Sequence, residues 1–185
     1  MKNSIHRSSF VFLVLVALAL VGQAKDGNRK DEAKRKKSMK ISSSAFAEGA
    51  EIPVKYSRSG EDINPPLHIE GTPENAKSLA LIMDDPDAPV GLFTHWLVWN
   101  LDPRTTEIAE HSVPKGAVEG TNDYPNAGYG GPQPPSGTHR YYFKIFVLDK
   151  TLDLRAGAKR KELDQAMKGH VIAEGQYMGR FTHRK

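Results

Sequence analysis

Two apolar runs, Leu79–Met83 and Trp96–Trp99, stand either side of twelve residues that hold three carboxylates and two prolines. The segment Asp84-Asp85-Pro86-Asp87-Ala88-Pro89 rules out a continuous helix here, because proline has no N–H to give to the preceding turn. The runs therefore read as buried strands joined by a turn, with the acids at a strand end and His95 at the mouth of the second strand. Carboxylates beside an imidazole at the edge of a core fit a polar pocket or a metal site. A solvated Asp-Pro turn is the plainer alternative.

The rest of the chain follows the same pattern of short strands and turns. Lys40–Ser43 and Ile52–Tyr56 read as strands split by a turn at Glu48-Gly49. Asn64-Pro65-Pro66 implies an extended segment at a sheet edge. After a turn at 71–75 comes the strand Ser78–Met83, and after Leu101 a long irregular region, 102–138, with six of the sixteen glycines. A loop of that length is usually functional. It runs into a strand, Tyr141–Leu148, then a helix over 159–170 with Leu163, Ala166, Met167 and His170 on one face, then a last strand over 171–181. The expected class is mainly β, a β-sandwich with peripheral short helices.

Charge and leader residues bound the function. Residues 1–24 have Lys2 and Arg7, the apolar run Phe10–Val21 and small residues at Gly22 and Ala24, which is the anatomy of a signal peptide. The run is short for a span, which needs roughly 20 residues. Residues 25–38 carry seven basic and three acidic side chains and are expected to be a disordered linker with weak or no membrane contact. Residues 39–185, the expected folded domain, hold 17 basic against 19 acidic side chains, so the +4 of the whole chain is no basic nucleic-acid face. The expected location is outside the cytoplasm, periplasmic or secreted. With no cysteine, disulfides, thiolate metal sites and thiol nucleophiles are excluded.

The polar candidates are Asp85, Asp87, His95, Tyr129, His139, Arg140 and Tyr141, with Gly130 and Gly131 able to bring backbone N–H groups close to a ligand. Two histidines and a guanidinium favour an anion. In order and spacing, Asp85-Pro86-Asp87-Ala88-Pro89, His95 and Gly130-Gly131-Pro132-x-Pro134-Pro135-x-Gly137-x-His139-Arg140-Tyr141 resemble the phosphatidylethanolamine-binding protein family, also called the Raf kinase inhibitor protein family, most closely its bacterial branch. Gly60–Leu67, Gly120–Tyr124 and Gly169–Ala173 add to the resemblance, which covers about residues 39–183.

The resemblance implies a central antiparallel sheet packed on a smaller one, and a surface pocket for phosphate-like or carboxylate anions, including the phosphatidylethanolamine head group. Carried over by position, its ligand-binding residues are Asp85, His95, Gly131, Pro132, His139 and Tyr141. Asp87, Pro89, Arg140 and Phe181 are expected to be structural at the site. His95 and His139 are expected to donate to the anion, more strongly once protonated near about pH 6–7. Gly131 is expected to give a backbone N–H, Pro132 to be a wall, Asp85 to orient a histidine or take an ammonium group, and Asp87 to accept loop N–H bonds. Arg140 should form a structural ion pair away from the pocket, Asp84 should be exposed, and the Ala88–Pro89 bond is a candidate cis peptide.

Gln133 stands where bacterial relatives commonly have cysteine, His68 where an aromatic is usual, and Phe181 lacks a tyrosine hydroxyl. The leading expectation is a non-enzymatic binding protein for a small anionic ligand or phospholipid head group, with no cofactor and no metal. A protein-docking inhibitor or scaffold using the pocket rim is the second reading. A metal-assisted hydrolase built on Asp85, His95 and His139 is the third, in a chain with no Gly-x-Ser-x-Gly or His-Glu-x-x-His motif.

Overall fold

A computed structural model describes residues 37–184. The leader-like residues 1–24 and residues 25–36 of the expected linker lie outside the described residues. Lys37–Ser38, at the end of that linker, already pair with the last strand.

Among the described residues nine strands form two sheets. They are β1 (Lys37–Ser38), β2 (Lys40–Ser42), β3 (Leu67–Glu70), β4 (Ser78–Asp85), β5 (Phe93–Leu101), β6 (Glu107–Ile108), β7 (Val118–Glu119), β8 (Thr138–Leu148) and β9 (Val171–Thr182). The larger sheet has the order β1-β9-β8-β4-β5-β7 and is antiparallel except where β1 meets β9; the smaller has the order β2-β3-β6. Among the described residues there is one α-helix, α1 (Arg160–Met167). This is the expected sandwich of a large sheet on a smaller one.

Side-chain alternation builds two cores. On one face of the large sheet Leu79, Leu81 and Met83 join Tyr141, Phe143, Ile145 and Val147 against Ile41, Leu67, Ile69 and Ile108 of the small sheet. On the other face Ala80, Ile82, Leu97 and Trp99 pack under Leu152, Leu163 and Met167. All eight residues of β4 are buried, since both faces are covered.

Several expectations are corrected. Ile52–Tyr56 is not a strand: Pro53 has no N–H for a ladder, and Val54–Tyr56 turn into a 3-10 helix while Ile52 alone donates to the Arg180 carbonyl. The helix ends at Met167, ahead of Gly169 at φ +83°, and His170 pairs with Asp149 outside it. The region 102–138 contains the two-residue strands β6 and β7. The Ala88–Pro89 peptide is trans, and the loop is closed by Gly91 N–H on the Ala88 carbonyl.

Asp84 is not exposed but fully buried, because alternation turns it to the helix side of the sheet. There it accepts from Lys144 Nζ at 2.9 Å, from the Arg160 guanidinium and from Thr94 Oγ1 at 3.3 Å, tying α1 to the sheet. Removing one partner of a buried ion network leaves uncompensated charge. Asp84→Ala should lower the unfolding free energy by about 3 kcal/mol in urea titration, far more than Glu74→Ala on an exposed turn.

Candidate functional site

The topology gathers the site at one end of the large sheet. β4 ends there while β5 and β8 begin there, so Asp85, Phe93, His95, His139 and Tyr141 meet although the sequence scatters them. Asp85, Phe93, His95, Tyr124, Gln133, His139 and Tyr141 line a cavity of about 140 Å³, closed by Ala88, Pro89, Val90 and Pro135.

Asp85 has two bonds. One oxygen accepts His139 Nδ1–H at 2.7 Å and the other accepts the Asp87 N–H at 2.8 Å. The carboxylate thus fixes the His139 ring and leaves Nε2 as the nitrogen open to a ligand. Asp87 braces the loop as expected: it accepts the Arg140 backbone N–H and a two-pronged guanidinium contact at 2.9 and 2.7 Å. Those Arg140 bonds hold the Asp87 carboxyl down at about 2. Arg140 lies on the opposite side of β8 from His139 and Tyr141, in the ion pair expected of it.

His95 reaches the cavity through a β-bulge. Met83 pairs with Trp96 and Asp84 with Thr94, so His95 is an extra residue between them. Unbroken alternation would place it with Leu97 and Trp99 on the helix side; the bulge aims it into the cavity. A segment of the long loop secures the bulge. Gly130 N–H donates to the His95 carbonyl, His95 Nδ1–H donates back to the Gly130 carbonyl at 2.6 Å, and Asp123 bonds the Thr94 backbone in both directions. Asn122 holds that segment in turn, bonding Tyr124, Asn126 and Gly128.

Two residues expected in the site are engaged elsewhere. Gly131 does not offer its N–H to the cavity, since Asp62 Oδ1 takes it at 2.7 Å. Its missing side chain serves packing: a Cβ would lie 2.3 Å from the Tyr56 carbonyl oxygen. Pro132 is not among the residues lining the cavity, where Gln133 and Pro135 form the wall instead. Phe181 is buried and faces the neighbouring cleft with Pro134 and His183. Tyr129 is structural, its hydroxyl donating to the Tyr56 carbonyl.

Sequence reasoning missed Phe93, Tyr124, Val90 and Pro135 as lining residues, and it missed Arg58. That guanidinium sits 4.3 Å over the Tyr124 ring and donates to Gln133 Oε1 at 3.0 Å, so it clamps two walls from behind. The Gly120–Tyr124 run and Pro135 of the Gly130–Tyr141 motif carried a signal toward this group; Arg58 had none.

The hydroxyl of Tyr141 is buried, and among the described residues it makes no hydrogen bond. Desolvation, with the Asp85 charge behind it, pushes its ionisation far up, so it stays an O–H donor.

Residues 42–182 match the family described as "Phosphatidylethanolamine-binding protein". The chain belongs to the phosphatidylethanolamine-binding protein family. A UPF0098 protein of Pyrococcus horikoshii is 45% identical over 185 residues, covering 95% of this chain and 90% of the relative. Another, of Pyrococcus abyssi, is 50% identical over 151 residues, covering 77% and 84%. A crystal structure of a phosphatidylethanolamine-binding protein homologue from Chlamydia trachomatis superposes with a TM-score of 0.76 at 41% identity, covering 80% of this chain and 99% of that one. E. coli YbcL, described as a new member of the mammalian PEBP family, gives 0.74 at 26% identity, covering 79% and 99%. These prokaryotic relatives agree with the branch assignment.

His95 departs from the protonated role expected of it. Burial among the rings of Phe93, Tyr124 and Tyr141 lowers its pKa from the ordinary 6.5, against the weaker pull of the Gly130 carbonyl and the nearby acids. It is therefore neutral at pH 7. In the unfolded chain it takes up a proton near 6.5 and in the folded chain only below that, so stability is lost as the pH falls below about 6.5. Ring titration by NMR should place His95 below 6.5, and His95→Gln should flatten the pH dependence of urea unfolding in that window.

Proposed function

We propose that this cavity binds a small anionic group, phosphate-type or the phosphatidylethanolamine head group, without catalysing a reaction, and that it does so outside the cytoplasm. The observation that carries the reading is the buried Tyr141 hydroxyl without a partner, aimed into a cavity beside the Asp85–His139 pair. A native core seldom leaves such a donor unpaired, and a ligand oxygen would satisfy it. His139, its Nδ1 held by Asp85, leaves Nε2 as a second polar contact for the ligand. The volume of about 140 Å³ is small against the roughly 300–1,000 Å³ of sites for drug-sized ligands, which fits one head group and not a large cofactor.

Family membership supports ligand binding in general, and the leader-like sequence of residues 1–24 supports export. A metal-assisted reaction is the weaker reading, because among the described residues no three His, Asp, Glu or Cys side chains are grouped so as to hold a metal ion.

NMR titration with phosphate, phosphoethanolamine and acetate tests this. The His139 ring signals are expected to move, and Tyr141→Phe should weaken binding about 10- to 100-fold, the worth of a hydrogen bond to a charged group. The same substitution should leave the melting temperature unchanged or higher, since it removes an unpaired polar atom. Silence of both histidines toward every anion would sink the reading. Shifts driven by a divalent metal alone would favour the hydrolase.

A further inference from the structure

The loop that closes the cavity is unusual for a turn. From Ala88 through Phe93 no side chain is polar, whereas exposed turns ordinarily use Asn, Asp, Ser and Gly with a polar partner. Val90 is 82% and Leu92 54% exposed, the large hydrophobic side chains left in solvent among the described residues. Single exposed hydrophobics need no explanation, but these flank Gly91 on one tip, and Val90 also lines the cavity mouth. The tip is held in place rather than loose. Asp87 pins its base to Arg140, Asp85 caps the Asp87 N–H, and Gly91 at φ +94° closes the turn onto Ala88.

Much of the charge around this end of the fold is paired. Asp87 pairs with Arg140, Asp85 with His139, Arg58 with Asp62 at 3.6 Å and Arg184 with Glu51 at 3.8 Å. A surface whose charges are internally paired offers little to a strongly charged partner, and its projecting apolar tip suits a deformable, zwitterionic interface.

We propose that Pro89–Leu92 is a lipid-contact tip, which dips into the interfacial layer of a zwitterionic bilayer and sets the cavity mouth at head-group level. This rests on the head-group reading of the cavity and names where that ligand is met: in the membrane, not free in solution. Two aliphatic side chains give shallow, reversible contact, well short of stable anchoring.

The chain has no cysteine, so Val90→Cys provides a single attachment point for an environment-sensitive fluorophore on the full chain. Lys150→Cys, exposed just beyond the end of β8 remote from His139, is the control. With vesicles of phosphatidylcholine and phosphatidylethanolamine, the label at 90 is expected to shift to the blue and the label at 150 to stay unchanged. Attachment through the apolar run 10–21 cannot imitate that local difference. Leu92→Asp in the Val90→Cys background should raise the vesicle concentration for half of the shift about tenfold. In the otherwise unchanged chain, Leu92→Asp should leave the phosphoethanolamine shift of His139 intact.

Equal responses at 90 and 150, or none at 90, would overturn the lipid-contact tip. So would a shift at 90 that grows with protein concentration without vesicles, which would mark contact between two copies. If His139 answers soluble phosphoethanolamine while the label at 90 is silent, the cavity reading stands and the tip alone falls. If the label responds and His139 does not, the tip stands and the head-group reading falls.

Discussion

The structure depends on one constraint at the end of β4: neighbouring residues of a strand point to opposite faces. Asp84 and Asp85 are adjacent acids in a fully buried strand, and the pleat sends them apart. Asp84 goes to the helix side, where Lys144 and Arg160 neutralise it; Asp85 goes to the cavity, where it holds His139. Two buried carboxylates on one face would repel and raise each other's proton affinity. Separated by the thickness of the sheet, one secures the fold and the other equips the site.

The same alternation would have kept His95 out of the cavity. A single extra residue in β5 breaks the pattern, and the break is stabilised by a part of the chain that looks irregular. Gly130 and Asp123 act as a template for the bulge, bonding its backbone from the far side, and Asn122 holds their segment in shape. The long loop is therefore a structural clamp as much as a cavity wall. Its glycines are needed for close approach: a Cβ at Gly130 would lie 2.7 Å from the Tyr124 ring.

Much of this was legible in the sequence. The apolar runs of β4, β5 and β8 and the breakers between them gave the sandwich, and the motif residues Asp85, His95, His139 and Tyr141 do line one cavity. That Arg140 turns away from the pocket into an ion pair followed from the pleat, though its partner Asp87 did not, and Asp85 orienting a histidine was one of two expectations. What stayed illegible has physical causes. Asp84 reads as a turn acid until its cationic partners, distant in sequence, are known to fold over it. Gly131 reads as a ligand donor until Asp62, held at φ +57°, is seen to take its N–H. Strands of two residues have no periodicity, and a proline hides the difference between a strand and a 3-10 turn at Pro53.

The bond from Asp85 to His139 joins residues 54 positions apart, across the seam where β8 docks on β4. Contacts of such separation form late, because a long loop must close before they repay its entropy. The cavity can then exist only in chains whose central sheet is complete. A chain stalled with β4 and β5 paired but β8 undocked would hold Asp85 and His95 and lack the other wall. Occupancy of the cavity is thus a report on finished folding, and a ligand bound there favours the fully assembled sheet over every partial one.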